Sequence, residues 1–295
     1  MSTQLQQDFI QRFSFDELDA RGCYVRLDQT IEDIQATHHY PEPLAKLLNE
    51  FAASAVLLRD SVKLDGSLTI QYRSDDAISM IVADCSTEYG VRAVCEYDAA
   101  ALASVGDEIN LQALSNNATL TITISPTKGK RYQGVVAIES ASLAGCLEDY
   151  FLRSEQLPSR FTIAADRHQA IGISLYALPE QDSEIVAILK DDWNRLNILM
   201  GTLTDDEMRE LEATEILRRL FHEEHCRSHE KKSVSFQCDC SRERSANALK
   251  SLGLEELEAI KKEQELVSID CHFCFQRYEF NHADLDEMIG EMSVQ

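Results

Sequence analysis

Four cysteines near the C-terminus constrain this chain more than any other feature. They form two tight pairs, Cys238-Asp-Cys240 and Cys271-His-Phe-Cys274, which thirty residues separate. Four soft thiolates in two pairs are the ligand number and ligand type of a closed, tetrahedral zinc site. The spacing therefore predicts one zinc ion bound by Cys238, Cys240, Cys271 and Cys274, and it disfavours the alternative that the four cysteines bind no metal.

The first pair is closer than those of most zinc ribbons and fingers. A single residue separates Cys238 from Cys240, so the two sulfurs can also oxidise to a small, strained disulfide that is easily reduced again. Such a bond suits a switch better than a permanent crosslink. The competing interpretation is a permanent structural zinc site without a redox role, and spacing alone favours that interpretation.

Residues 234–295, which contain these four cysteines (the cysteine quartet), have few aliphatic residues for a segment of this size. So small an apolar core seldom stabilises a folded domain of about sixty residues by itself. Bound zinc would contribute on the order of 10 kcal/mol to the folding free energy. We therefore expect metal loss to unfold this segment. Its predicted elements are a helix that Ser241 caps and that ends at Leu252-Gly253, a helix over Leu254 to Lys262, a strand over Phe275 to Phe280, and a last helix that Asn281 caps with Asp284 in the capping-box position.

Residues 1–180 read as an α+β domain in which strands occur in runs. Apolar residues recur at helical spacing after Pro41-Glu42-Pro43 as far as Val62, and again from Ser142 to Leu152. Alternating or continuous apolar runs predict strands near Leu68–Tyr72, Ile78–Asp84, Val91–Tyr97, Leu120–Ile124, Gln133–Ile138, Phe161–Ala164 and Ile171–Ala177.

Residues 181–233 are predicted to form a charged helical linker, with a boundary at residues 179–182. Residues 181–230 contain 13 Asp or Glu and 6 Lys or Arg, and apolar residues such as Trp193, Leu196, Ile216 and Leu220 follow helical spacing. Helices of this kind must bury a narrow apolar stripe to be stable. An ordinary linker and a marginally stable segment that can leave its docking surface are equally compatible with the pattern.

Charge and composition limit the functional classes. The formal net charge of −23 repels phosphate backbones and anionic membranes, and Arg242 and Arg244 do not form a basic stripe. The nine cysteines include Cys23, Cys85, Cys95 and Cys146, which stand singly among apolar residues as buried thiols of a reducing compartment do. The chain shows neither a signal peptide nor an apolar run of membrane-spanning length, so a cytoplasmic location is expected.

Catalytic motifs are missing from the sequence. It has no phosphate-binding G-x-x-x-x-G-K-S/T, no G-x-G-x-x-G and no G-x-S-x-G, so we expect no enzyme activity. His222 and Cys226 would share a face if their segment were helical, but this segment is not a zinc-protease motif. His272 could compete for the metal, although both cysteine pairs are complete without it. Arg242, Arg244 and Arg277 are expected to favour thiolate over thiol in the quartet.

Several further motifs are spread along the chain. They are Tyr40-Pro41, Arg131-Tyr132-Gln133-Gly134-Val135-Val136, Cys146-Leu147-Glu148-Asp149-Tyr150-Phe151, Ser154-Glu155-Gln156-Leu157-Pro158, His222-Glu223-Glu224 and Cys238-x-Cys240-Ser241-Arg242-Glu243-Arg244 with Cys271-x-x-Cys274. On these motifs, the chain resembles the heat shock protein 33 family of bacterial, redox-regulated holding chaperones over nearly its full length.

The resemblance implies an oxidation-activated, ATP-independent holdase of the oxidative-stress and heat-shock response. In the reduced state the four cysteines would hold one zinc ion and the chaperone would be inactive. Oxidation would form the disulfides Cys238–Cys240 and Cys271–Cys274, release the zinc and unfold the C-terminal domain and the linker. The exposed apolar surface would bind unfolded or oxidatively damaged client proteins, and the active form would be a homodimer.

Two hypotheses from other classes remain open at this point. A zinc-ribbon protein that binds nucleic acid is the main alternative, and the charge of −23 argues against it. A zinc hydrolase would need an open coordination position, which four cysteine ligands do not leave.

Overall fold

In the computed structural model, the described residues are 7–62, 65–106, 108–178 and 183–293, and side chains are described for these except 183–190 and 293. The predicted boundary at residues 179–182 lies outside the described residues. The chain divides into two compact units, Met1–Gln237 and Cys238–Gln295. The boundaries predicted at 180/181 and 233/234 remain predictions.

The strands of the described residues are β1 (Phe9–Phe15), β2 (Ala20–Leu27), β3 (Gly66–Arg73), β4 (Ile78–Cys85), β5 (Gly90–Tyr97), β6 (Thr119–Pro126), β7 (Tyr132–Val136), β8 (Ser159–Ala165), β9 (Ala170–Ala177), β10 (Cys226–Ser233), β11 (Ser235–Phe236), β12 (Leu266–Asp270) and β13 (Arg277–Asn281). They form a five-stranded sheet in the order β10-β1-β2-β9-β8, a six-stranded sheet in the order β11-β5-β4-β3-β6-β7, and the hairpin β12-β13.

The helices of the same residues are α1 (Gln29–Thr37), α2 (Glu42–Ser61), α3 (Ala99–Leu102), α4 (Leu111–Leu114), α5 (Leu143–Ser154), α6 (Ser183–Met200), α7 (Asp205–Glu210), α8 (Ala213–Phe221), α9 (Arg242–Lys250), α10 (Leu254–Glu263) and α11 (His282–Ser293). The α+β architecture that the sequence predicts for residues 1–180 is present in the first unit, which also contains α6 to α8, β10 and β11.

Helix α2 is the centre of the first unit. Pro43 occupies its first turn, where a missing backbone N–H costs nothing. The helix contacts strands of both large sheets, and Phe51, Ala52, Ala53 and Ala55 are fully buried in the core between them. The small alanine side chains allow close approach of the sheets, so a central helix is enclosed on nearly all sides.

Helices α6, α7 and α8 pack on the opposite face of the five-stranded sheet. This second core contains the buried residues Phe9, Phe13, Phe15, Ala20, Tyr24, Ala164, Ile171, Ile173, Leu175, Leu196, Met200, Met208, Ala213, Ile216, Leu217, Leu220 and Phe221. Thr204 and Glu207 form a capping box at the start of α7. The apolar stripe that the sequence predicts for the linker helices is thus buried against the sheet.

The second unit has a small core of its own. Its buried apolar residues are Leu249, Leu257, Val267, Phe280, Leu285 and Met288. The caps predicted for its helices are confirmed, because Ser241 accepts a hydrogen bond from the Arg244 amide and Asn281 and Asp284 cap α11 reciprocally. The predicted strand after the second cysteine pair begins later, at Arg277.

One part of the segment predicted to be helical is a strand. Helix α8 ends at Phe221, His225 turns the chain with a φ of 47°, and Cys226–Ser233 then pairs antiparallel with β1. His222 and Cys226 consequently do not share a helical face. The polar strand has exposed side chains, and its backbone hydrogen bonds to β1 determine its conformation.

Candidate metal centre

The four quartet cysteines come together in the second unit. Cys238 and Cys240 lie immediately before α9, while Cys271 and Cys274 lie in the turn between β12 and β13. This turn is tight, because the Phe275 amide donates to the Cys271 carbonyl at 2.8 Å and the Cys271 amide donates to the Gln276 carbonyl at 3.0 Å. Phe275 has a φ of 55° there, a left-handed conformation that a residue with a side chain seldom adopts.

The sulfur positions have the dimensions of a tetrahedral metal site. The four Sγ atoms lie within 4.8 Å of one another, and two of the separations are 3.6 Å for Cys238–Cys271 and 3.4 Å for Cys240–Cys274. A regular tetrahedron with zinc–sulfur bonds of about 2.3 Å has edges of about 3.8 Å. The four cysteines therefore fit a metal ion. Among the described residues, no other cluster of three or more His, Cys, Asp or Glu side chains has its ligand atoms this close together.

Tyr278 on β13 belongs to this centre, although the sequence pattern does not indicate it. Its hydroxyl donates a hydrogen bond to Cys240 Sγ at 3.2 Å. Burial alone would raise the pKa of Cys240, but this bond and the neighbouring sulfurs lower it. Burial raises the pKa of Cys238. One sulfur of the quartet is thus stabilised as a thiolate by a neutral donor.

The three arginines predicted to stabilise thiolates have other partners. Arg242 pairs with Asp284 at 2.8 Å and stacks on the Phe280 ring. Arg277 pairs with Asp270 at 2.7 Å, and Arg244 lies 3.8 Å from Asp239. Because carboxylates neutralise each guanidinium, the arginines help to hold the framework of the unit.

The remaining cysteines lie outside the metal-ligand group. Cys23, Cys85, Cys95 and Cys146 are buried free thiols, as predicted, and burial raises the pKa of each. Cys226 is half-buried, and burial raises its pKa to about 12. His272, which lies between Cys271 and Cys274 in the sequence, is not among the grouped ligands either.

The second notable surface of the first unit is the aromatic face of the five-stranded sheet, which the linker helices cover. The Phe221 ring of α8 stacks on Phe13 with ring centroids 5.9 Å apart and meets Phe15 edge-on at 5.2 Å. Tyr24 and Phe9 stack at 5.7 Å on the same sheet. The alternation of Phe9, Phe13 and Phe15 along the first strand is the signal by which this face could have been found in the sequence.

One bidentate ion pair holds the linker helices to each other. Arg195 of α6 donates two hydrogen bonds to Glu224, at 2.6 and 2.9 Å, in the turn after α8. These bonds lower the pKa of Glu224 despite the opposing effect of its partial burial. The pair lies within the segment, so it does not attach the helices to the sheet.

Residues 8–281 match the family model described as Hsp33 protein. The chain belongs to the Hsp33 family. It is 43% identical over 289 residues to the 33 kDa chaperonin of Pseudomonas aeruginosa, with 98% of this chain and 96% of the relative covered. It is also 43% identical to the 33 kDa chaperonin of Azotobacter vinelandii, with 96% and 95% covered.

A solved structure supports the Hsp33 fold for the whole chain. The 33 kDa chaperonin of Thermotoga maritima, a heat shock protein 33 homolog, superposes with a TM-score of 0.78 at 20% identity, covering 97% of this chain and 99% of that one. Among the described residues, no helix has both the length and the apolar character needed to cross a membrane.

Proposed function

We propose that this Hsp33 protein is a redox-regulated, ATP-independent holding chaperone. Reduced and zinc-loaded it is inactive, and disulfide formation with zinc release activates it. The proposal rests on where the four quartet sulfurs lie. They are close enough to one another to bind one metal ion and also to form disulfides. They belong to a unit that has only a small apolar core of its own.

A bound zinc ion would hold the four thiolates together and crosslink the turn at Cys271 and Cys274 to the start of α9. The residues of this unit supply few other long-range restraints, since its core consists of six buried apolar side chains. Tyr278 keeps the Cys240 sulfur oriented towards the other three. Loss of the ligand set therefore removes the largest single contribution to the stability of the unit.

The proposed oxidation joins Cys238 to Cys240 and Cys271 to Cys274. Each disulfide forms with the loss of two electrons and two protons, and one molecule of hydrogen peroxide per disulfide accepts them and becomes two molecules of water. The sulfur of a thiolate attacks the peroxide, and the resulting sulfenic acid condenses with the second thiol. Since a disulfide sulfur is a poor zinc ligand, both bonds remove the ligand set together.

The proposed client-binding surface is the aromatic face of the five-stranded sheet together with the linker helices. This face consists mainly of phenylalanine, tyrosine and isoleucine side chains that α6 to α8 bury. Large contiguous apolar surfaces bind unfolded polypeptides without sequence selectivity. Unfolded or oxidatively damaged proteins are the proposed clients, and a cytoplasmic homodimer is the proposed active form. The acidic net charge of −23 helps such a protein to remain in solution.

The deciding experiment combines light scattering with metal and thiol analysis. Peroxide-treated protein is expected to suppress the aggregation of a heat-unfolded client, to have lost one zinc ion and four thiols, and to contain the two disulfides named above by peptide mapping. Reduced protein should not suppress aggregation. Equal protection by both forms would contradict the switch.

Two cysteine variants test the assignment of the quartet. Cys226→Ser removes a half-buried thiol outside the ligand group and is expected to keep zinc binding and peroxide activation. Cys271→Ser removes one ligand, so it should lower zinc affinity and allow protection without peroxide. A Cys271→Ser variant that stays zinc-loaded and inactive would contradict the assignment.

A further inference from the structure

A row of polar side chains crosses the inner face of the five-stranded sheet, near the end of α2. Arg21 of β2 is the direct cross-strand partner of Tyr176 of β9, and Tyr176 is in turn the partner of Ser159 of β8. Directly opposed residues in antiparallel strands project to the same side of the sheet. The side chains of Arg21, Tyr176 and Ser159 thus lie on the same side of the sheet, in adjacent strands.

Among the described residues, these donors have no acceptors. Tyr176 is 2% exposed, and neither its hydroxyl nor the buried hydroxyl of Ser159 has a hydrogen-bond partner there. Arg21 is half-buried, and its guanidinium has neither an ion pair nor a hydrogen bond to a described protein group. A buried donor without a partner is costly. An anion in a cavity that both Arg21 and Tyr176 line would supply these two donors with an acceptor.

Two cavities meet at this row. One has a volume of about 380 Å³ and is lined in part by Arg21, Ser61 and Tyr176. The other has a volume of about 500 Å³, and Arg21 and Ser61 belong to its wall as well. Most of the wall of the second cavity is apolar, with contributions from Leu58, Val62, Leu68, Ile122, Ile124, Phe151, Leu157 and Leu178. The first cavity, where Arg21 and Tyr176 could bind an anion, is therefore adjacent to the second, mostly apolar cavity (the apolar chamber).

The charges around the first cavity favour an anion. Arg12, Arg21 and Lys232 contribute cations, while Asp60 and Glu230 contribute carboxylates. Asp60 already accepts hydrogen bonds from Arg12, Cys23 and Tyr89. In a chain with a net charge of −23, a cavity with more cations than anions is unusual.

Among the described residues, the second cavity has one carboxylate in its wall, that of Glu155. It accepts hydrogen bonds from Tyr150 at 2.8 Å and from Tyr132 at 3.4 Å, and these neutral phenols stabilise its negative charge without removing it. Lys130 in the same wall has no ion pair among the described residues. Glu155 and Lys130 therefore contribute opposite charges, and Arg21 adds a further cation.

We propose that the two cavities bind one molecule of a single-chain amphiphile with a carboxylate headgroup. The carboxylate accepts hydrogen bonds from Arg21 and Tyr176, and the hydrocarbon chain lies among Leu58, Ile122 and Phe151. A small number of placed polar groups beside an apolar chamber is the usual composition of a small-molecule site. This site belongs to the first unit and does not involve the quartet.

The test is isothermal titration of the reduced, zinc-loaded full chain with decanoate below its micelle concentration. Decanoate is expected to bind with a stoichiometry of one. Decan-1-ol, which lacks the charge, and butanoate, which lacks the chain, should each bind at least tenfold more weakly. Equal binding of decanol and decanoate would overturn the proposed headgroup site, and absence of decanoate binding would overturn the whole proposal.

Three variants test whether decanoate binds in these two cavities. Arg21→Gln should weaken decanoate binding about tenfold or more without changing decanol binding, since a charge-assisted hydrogen bond is lost. Ile124→Trp should block the chamber and weaken both ligands. Arg73→Gln removes an exposed arginine that lines neither cavity, and it should bind decanoate like the unchanged chain. Decanoate affinity that is insensitive to both Arg21→Gln and Ile124→Trp would refute the site, and circular dichroism would verify that each variant folds.

Discussion

At the scale of single residues, Tyr278 shows what cysteine spacing does not reveal about a metal centre. Spacing indicates the four cysteines that could hold a metal ion, but the hydroxyl that donates to Cys240 comes from a strand residue four positions after Cys274. Partners of this kind orient metal ligands and adjust their affinity. No sequence rule assigns a tyrosine to that role, because the contact depends on how β13 turns back on the quartet.

Tyr278→Phe should therefore weaken zinc binding about tenfold, the lower end of the range for outer-shell partners. The ring is retained, so only the hydrogen bond to the Cys240 sulfur is lost. Competition with a chromogenic chelator measures the affinity. Tyr132→Phe, on an exposed edge strand of the other unit, is the matched control and should not change it. Unchanged zinc affinity in Tyr278→Phe would show that the bond contributes nothing to metal binding.

Asp60 is a second residue whose contribution can be argued from its own hydrogen bonds. Its side chain is 3% exposed and accepts hydrogen bonds from Arg12 at 2.7 Å, Cys23 at 2.8 Å and Tyr89 at 2.5 Å. Burial alone would raise the pKa of Asp60, but these three bonds outweigh it and hold the pKa below its ordinary value. The carboxylate thus connects α2 to β1, to β2 and to Tyr89 in the turn just before β5.

This depressed pKa gives the first unit a specific acid sensitivity. Asp60 stabilises the fold fully above its unfolded pKa of about 4, and the contribution is lost as the pH falls through the lower folded pKa. Asp60→Asn should reduce the free energy of unfolding by about 2 kcal/mol at neutral pH. The difference from the unchanged chain should shrink below about pH 4, as urea unfolding at both pH values can measure. Asp16→Asn, at an exposed ion pair with Arg227, should show neither effect.

At the scale of elements, the linker helices have few attachments beyond their apolar stripe. Helices α7 and α8 are short, at 6 and 9 residues, and most of their ion pairs are internal or exposed. Helices of that length are unstable in water by themselves. The helical structure of α7 and α8 therefore depends on the burial of residues such as Phe221 against the sheet.

Phe221→Ala should consequently loosen this docking and produce partial chaperone activity in the reduced protein. Removing a buried phenylalanine costs about 3 to 5 kcal/mol, which is large for so small a docked segment. Light scattering of a heat-unfolded client in the presence of reductant measures the activity. Arg218→Ala on the exposed side of α8 is the control and should remain inactive. A reduced Phe221→Ala protein that is folded and fully inactive would argue that undocking of α8 is not the activating event.

Elements were predictable from the sequence where local signals specify them. Helix α2 follows its proline start and apolar spacing, and α9 and α11 follow their caps. Strand β10 has no such signal, because its residues are polar and it is defined by pairing with β1, more than two hundred positions away in sequence. The sequence does not predict strands β1 and β2, because Arg12 and Arg21 interrupt their apolar pattern on the face that contains Asp60 and the cavities.

At the scale of the whole molecule, stability is divided unequally between two units. The first contains two large apolar cores, whereas the second has six buried apolar residues and the cysteine quartet. The grouping of the four cysteines was predicted from the sequence, since their chemistry and spacing are local, and their role as zinc ligands stays a prediction. The aromatic face and the amphiphile cavities were not, because each requires residues from distant strands to meet.

Zinc removal by a chelator under reducing conditions should unfold the second unit alone. Hydrogen exchange is expected to lose protection in residues 238–293, while β3 to β6 keep theirs, because the core around α2 does not depend on the metal. Restoring zinc should restore protection. Continued protection of α9 to α11 without metal would show that the small core suffices, and it would remove the physical basis for a metal-dependent fold.

The attachment of the linker helices at both ends has a kinetic consequence. The segment that contains α6, α7 and α8 follows β9 and precedes β10, two strands of the same sheet. Helices that leave the sheet would still be tethered at both ends, so their return is an intramolecular step with a high effective concentration. Re-covering of the aromatic face is therefore first-order and independent of protein concentration. A bound client must then compete with the tethered helices α6 to α8 for the aromatic face. The rate at which these helices dock again limits how long a weakly bound client remains on the protein.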